Sequence, residues 1–242
     1  MASSAAERPR RVGVMGGTFN PIHYGHLRSA EEVRERFGLE RVLFVPSATP
    51  PHKQPGVVAS AEERLEMVRL AVAGNPHFVA SDVEVVRGGA SYTVDTLEEL
   101  RERLGPGEEL YFLLGAESFA EVASWRDAVR LLRAAHFVVT LRGAQDGREV
   151  LEGLRATVEP LEAGLRFTPE GEESIRVSCS PWRIWLVRVR AFEVSSTAIR
   201  EGLREGRSVR YLLPPSVEAY IMARRLYGAV PADASGARSK AR

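Results

Sequence analysis

Short apolar runs alternate with longer stretches of helical periodicity along most of this chain. The runs at residues 12–15, 42–45, 83–86, 110–114, 136–140 and 184–189 are too short for helices and read as buried strands. Between them, apolar positions recur three and four residues apart from about 24 to 37, 61 to 73 and 94 to 104, and a further helical stretch reaches about 132. Ser60-Ala61-Glu62-Glu63 is a capping-box pattern opening the second helix, and Gly74-Asn75-Pro76 stops it. This alternation predicts an α/β fold, a Rossmann-like, doubly wound, mostly parallel sheet with helices on both faces. Residues 143–180 carry the weakest pattern and predict a short helix and a charged loop. The two ends, 1–10 and 229–242, are rich in Ala, Ser and Arg without apolar periodicity, so they read as disordered tails around one domain, 11–228.

Composition narrows the partners more than the fold. The 242 residues, 44% of them hydrophobic, suit one globular core. Lys and Arg number 33 against 32 Asp and Glu, a net charge of +1, so any anion site is local and neither nucleic acid nor membrane is an expected partner. Cys179 is the only cysteine, which excludes an intrachain disulfide, and no secretory or long apolar segment is seen, so a cytoplasmic protein is expected. The oligomeric state is left open.

In a doubly wound sheet, ligands bind beyond the carboxyl ends of the strands. Four polar clusters fall there and are expected to line one crevice: GGTFNPIHYGH at 16–26, PSATPPHK at 46–53, GAES at 115–118 and VSSTAIR at 194–200. In the first, Gly16 and Gly17 lack a β-carbon and let backbone N–H groups approach an anion. His23 and His26, three apart at a helix start, share a face beside the positive end of the helix dipole. A polyphosphate there meets N–H donors, dipole and imidazoles together. The spacing is not G-x-G-x-x-G and no GK[ST] occurs, which excludes the dinucleotide fingerprint and the P-loop. His-x-x-His finds no third ligand at metal-site spacing among His52, His77, His136 and Cys179, so no protein-held metal is expected. Taken alone, the run also fits a tight turn with two histidines on a solvated helix end.

In their order, GGTFNPIHYGH, PPHK, SYTVDTL, GAES…W and VSSTAIR resemble the bacterial nicotinate mononucleotide adenylyltransferases, nucleotidyltransferases marked by HxGH and SSTxIR runs, over about residues 11–228. The resemblance implies transfer of AMP from ATP to nicotinate mononucleotide, giving nicotinate adenine dinucleotide and pyrophosphate in NAD biosynthesis, with Mg2+ accompanying the triphosphate. It implies catalytic roles for His23, His26, Lys53 and Arg200. ATP would be held by Gly16, Gly17, Thr18 and Phe19 with the two histidines, by Gly115 and Glu117, and by Ser195, Ser196, Thr197 and Arg200. The mononucleotide would meet Ser47, Lys53 and Tyr92, with Thr93 at the nicotinate carboxylate and Trp125 under the pyridine ring.

The chemistry of the residues agrees. In-line attack of a 5′-phosphate on the α-phosphorus needs no protein nucleophile, only two anions held in line and their developing charge neutralised. Lys53, behind two stiffening prolines, reaches for the β- and γ-phosphates. Ser195, Ser196 and Thr197 have N-cap chemistry, with Arg200 one turn on. Thr93 is equally an N-cap candidate for the third helix. The chain departs from the family at Asn20 and Glu117, where many members carry Asp, and at Ser47, where Asn is frequent. Phosphopantetheine adenylyltransferases and cytidylyltransferases share the histidine run, class I aminoacyl-tRNA synthetases carry a similar one, and a nucleotide-binding module without turnover is a further alternative. Thr93 and Trp125 favour a pyridine nucleotide.

Overall fold

The computed structural model describes residues 9–49, 59–105, 107–178, 180–190 and 192–229. Its strands are β1 (Arg10–Gly17), β2 (Arg41–Pro46), β3 (Phe78–Ala80), β4 (Glu108–Gly115), β5 (His136–Leu141), β6 (Phe167–Pro169), β7 (Ser174–Val177) and β8 (Arg183–Arg188). Among the described residues they form a sheet in the order β3-β2-β1-β4-β5-β8-β7-β6. The order departs from β1 in one direction through β2 and β3 and in the other through β4, β5 and β8, which is the doubly wound pattern. β1 with β4, β4 with β5 and β5 with β8 pair in parallel, while β6, β7 and β8 are joined antiparallel. The helices are α1 (Tyr24–Phe37), α2 (Ala61–Val72), α3 (Val83–Arg87), α4 (Thr93–Leu104), α5 (Ala116–Ala120), α6 (Ala128–Leu131), α7 (Gly147–Thr157), α8 (Ser196–Arg204) and α9 (Pro215–Arg224).

The chain divides into two compact units. The first takes the described residues of 1–15, 32–43 and 92–189, the second those of 16–31, 44–91 and 190–242. In the first, all six residues of β5 are buried, as expected of a central parallel strand covered on two faces. Gly13 is closely packed there: a β-carbon would come within 2.9 Å of Leu39 Cδ1 and 3.0 Å of Val42 Cγ2, so those side chains would have to shift. In the second, Phe44 packs on Phe78 with ring centroids 4.9 Å apart. The capping box of α2 forms as its sequence predicts: Ser60 Oγ accepts the Glu63 N–H at 3.1 Å and Glu63 Oε2 accepts the Ser60 N–H at 2.8 Å.

Three expectations are corrected. Residues 83–86 are helix α3 rather than a strand, and the strand lies earlier, at β3. The valines favour extended backbone, but N–H groups of Val86 and Gly88 donate to the carbonyls of Asp82 and Glu84, and Gly88 stops the turn at φ 69°. The segment after β5 holds more than a short helix and a loop, since α7 is followed by the β6–β7 hairpin, whose buried Phe167, Ile175 and Val177 are too few to announce a period-2 pattern. At the ends, Arg10 belongs to β1 and Ala229 is buried, each one residue outside the expected 11–228, while residues 1–8 and 230–242 lie outside the described residues. Among the described residues no helix is long and apolar enough to cross a membrane.

Candidate active site

The second unit holds most of the expected phosphate-binding groups. β1 ends on Gly16 and Gly17, and the chain turns through Thr18 to Ile22 before α1 begins at Tyr24. Phe19 shapes this turn. Its φ of 48° lies in the left-handed region that bulky residues avoid, and its ring is buried edge-on to His26 at 5.1 Å and against Phe44 at 6.0 Å. The same ring packs closely on Gly17, where a β-carbon would be 3.3 Å from Phe19 Cε1 and Cζ and the ring would have to shift slightly.

The histidines meet as their spacing predicts. The His23 carbonyl accepts from the N–H groups of His26 and Leu27, closing the first turn of α1, and the two imidazoles stack with centroids 3.7 Å apart. His23 is buried and His26 half-buried. The His23 backbone N–H donates to His26 Nδ1 at 3.3 Å, so the neutral His26 ring carries its hydrogen on Nε2. That tautomer presents an N–H donor.

Two further clusters reach this turn. Ser195 is the N-cap of α8, its Oγ accepting the Ala198 N–H at 3.1 Å. Ser196 Oγ donates to the Pro21 carbonyl at 2.9 Å, Arg200 Nη1 donates to the Asn20 carbonyl at 2.9 Å, and Arg200 Nη2 donates to Thr197 Oγ1 at 3.1 Å. Burial lowers the Arg200 pKa below its ordinary value. Ser47, after β2, donates its N–H to the Gly17 carbonyl at 2.9 Å, and its hydroxyl is buried without a hydrogen-bond partner among the described residues. Lys53 lies outside the described residues.

Two residues that the sequence reading did not single out complete this frame. Arg64, 1% exposed, donates from Nε to Ala59, from Nη1 to Thr18 and from Nη2 to Ala48, all carbonyls, at 3.0, 2.9 and 3.0 Å. Removal from water lowers its pKa below the ordinary value. Its signal was present: an arginine three and four residues before Met67 and Val68 falls on the buried stripe of α2. Tyr227 donates its hydroxyl to Asn20 Oδ1 at 2.8 Å, and nothing local in its sequence announces that contact.

The other expected residues belong to the first unit. Tyr92, not Thr93, is the N-cap of α4; Thr93 is its first helical residue. A cap needs extended backbone, which Tyr92 has at φ −109°, ψ 125°, so the Thr93 hydroxyl is not the capping oxygen. The Arg126 guanidinium lies over the Tyr92 ring at 4.5 Å. Trp125 is half-buried on the wall of a cavity of about 660 Å³ that also involves Ala128, Arg130, Arg133, Leu161 and Glu162. Glu117 Oε1 accepts from Gln145 Nε2 at 2.7 Å, and its Oε2 lies where a β-carbon on Gly115 would come within 3.0 Å. Among the described residues no group of three or more His, Cys, Asp or Glu is placed to hold a metal ion.

A strand ending in glycines, a stacked histidine pair on a helix start and a serine-capped helix carrying an arginine define a nucleotidyltransferase. Residues 14–202 match the cytidylyltransferase-like family, and the chain belongs to it. A relative in Moorella thermoacetica is 45% identical over 221 residues, covering 91% of this chain and 93% of its own; one in Desulfatibacillum aliphaticivorans is 42% identical over 217 residues, covering 90% and 99%. Both are described as "probable nicotinate-nucleotide adenylyltransferase", and this chain groups with them inside the family. The fold is similar to that of a Plasmodium falciparum nicotinic acid mononucleotide adenylyltransferase solved in complex with NaAD, with a TM-score of 0.69 at 17% identity over 91% of this chain and 98% of that one.

Proposed function

We propose that this protein transfers AMP from ATP to nicotinate mononucleotide, forming nicotinate adenine dinucleotide and pyrophosphate. The observation that carries the chemistry is the stacked His23–His26 pair on a turn to which Ser196 and Arg200 are both hydrogen-bonded. The mononucleotide's 5′-phosphate oxygen attacks the α-phosphorus of ATP in line, and the bond from that phosphorus to the bridging oxygen breaks, releasing pyrophosphate. No residue needs to be a nucleophile. His26 Nε2–H donates to an α-phosphate oxygen as charge builds on it, His23 supports the bridging oxygen, and Arg200 with the amides of α8 holds the polyphosphate. Lys53 serves the β- and γ-phosphates. ATP enters as its magnesium complex, the ion being carried by the substrate's own phosphates. Glu117, Ser47 and Tyr92 are substrate contacts in this reading. The cytoplasm is the compartment it assumes.

Thr93 and Trp125 recognise the nicotinate. A carboxylate accepts from hydroxyl and backbone N–H donors, whereas the amide of the nicotinamide form sets donor against donor. That mismatch costs about 1–3 kcal/mol, or roughly tenfold to a hundredfold in kcat/KM. Pyrophosphate release measured with ATP and a panel of acceptors is the test: nicotinate mononucleotide should lead, the amide form should follow by that factor, and phosphopantetheine should be inert. Equal kcat/KM for acid and amide rejects the specificity, and turnover only with phosphopantetheine rejects the substrate.

A further inference from the structure

Asn20 is 2% exposed, and both of its oxygens are engaged. Its Oδ1 accepts the Tyr227 hydroxyl at 2.8 Å and the Ala59 N–H at 3.1 Å, while its backbone carbonyl accepts Arg200 Nη1 at 2.9 Å. Two donors on Oδ1 use its two lone pairs and fix the amide's orientation, because a nitrogen in that place would face donors. The Tyr227 phenol is held protonated, since burial raises its pKa well above the ordinary value. One short residue between the glycine pair and the histidine pair is thus gripped from the far end of the chain by Tyr227 and from α8 by Arg200. An apolar residue at 227 would fill the same space, but it would leave Oδ1 without the second donor that the hydroxyl adds to the Ala59 N–H in fixing the Asn20 side chain and, through it, the peptide that Arg200 holds.

We propose that Tyr227 is a positioning residue for adenylyl transfer, acting through Asn20 to set the turn that carries His23 and His26 against Arg200. The proposal rests on the phosphate-binding reading of that turn. It also accounts for Asn at position 20: the side chain acts as a neutral acceptor in a buried place, where an ionised carboxylate would lose its hydration.

The test is steady-state kinetics on Tyr227→Phe, which removes one oxygen and keeps the ring. A loss of orientation without loss of a substrate contact should lower kcat by about five- to twentyfold and leave both KM values within about twofold. Tyr211→Phe, an exposed tyrosine of the same unit, should match the parent. In an Arg200→Ala background the Tyr227→Phe step should lower kcat by less than about twofold, because both changes break one linkage. A parent that releases no pyrophosphate from ATP and nicotinate mononucleotide overturns the functional reading and this inference with it. An active parent whose Tyr227→Phe variant keeps full kcat, or loses the same factor in both backgrounds, overturns the inference alone.

Discussion

His26 and His136 show how one side chain is turned to opposite ends by its surroundings. His26 takes a backbone N–H at Nδ1, which puts its ring hydrogen on Nε2, the atom proposed above to donate to the α-phosphate. Removing one such preorganised donor typically lowers turnover by ~10²–10³. For His26→Ala, single-turnover and steady-state rates should both fall by that factor with little change in KM, and a variant that keeps kcat while KM rises would demote His26 to ground-state binding. His136 is buried, stacked on Tyr111 at 4.5 Å, and accepts the Arg183 N–H at Nδ1 at 3.1 Å. Burial lowers its pKa below the ordinary 6.5, with the Glu109 charge opposing. The sign of the linkage follows. Above about pH 6.5 the ring is neutral folded and unfolded, so it adds no pH dependence; as pH falls, the unfolded chain takes up the proton first and stability is lost until the folded pKa is passed. Urea unfolding between about pH 7.5 and 5.5 should therefore show a declining free energy. His136→Asn, which keeps an acceptor near Nδ1 and cannot titrate, should flatten that decline, and an unchanged slope would assign it to other groups.

At the scale of elements, legibility tracks how local the deciding interaction is. The capping box at Ser60 and Glu63 and the cap at Ser195 are satisfied within three residues, and both were readable from the chain alone. The same holds for the histidine pair, whose stacking needs only the first turn of α1. The identity of α3 and the β6–β7 hairpin depend on what covers them, which no local pattern carries. Arg64 belongs to the second kind. Its bond to Ala59 is local, but those to Thr18 and Ala48 join segments that only the folded chain brings together. Arg64→Met keeps the volume on the stripe of α2 and strips those carbonyls of their donors. Leaving buried acceptors unpaired costs about 1–3 kcal/mol each. Arg64→Met should consequently lose at least about 2 kcal/mol by chemical denaturation, far more than Arg69→Met on the half-exposed side of the same helix. Similar losses for the two variants would show that the carbonyl bonds of Arg64 add no net stability.

At the scale of the whole molecule, the division into two units runs through elements rather than between them. β1 passes from the first unit to the second between Met15 and Gly16 and β2 does so between Leu43 and Phe44, while α1 passes from the second to the first between Glu31 and Glu32. A unit that unfolded alone would leave half-strands in the other, with backbone groups stripped of continuous ladders. We therefore propose that residues 11–228 unfold as one cooperative domain. The three tryptophans, Trp125, Trp182 and Trp185, all report on the first unit, while α2, α8 and α9 contribute to far-ultraviolet dichroism from the second. Fluorescence and dichroism should give coincident denaturant midpoints. A non-hydrolysable ATP analogue sharpens the comparison, because the residues proposed to bind phosphate, on the turn and on α8, lie in the second unit. At ~100 times its Kd, the analogue should stabilise the protein by about 2.7 kcal/mol. With one cooperative domain the unfolding free energy read from tryptophan rises by that full amount, and its midpoint moves with that of the dichroism. A tryptophan transition that ignores the analogue while the dichroism transition moves would show that the two units unfold separately.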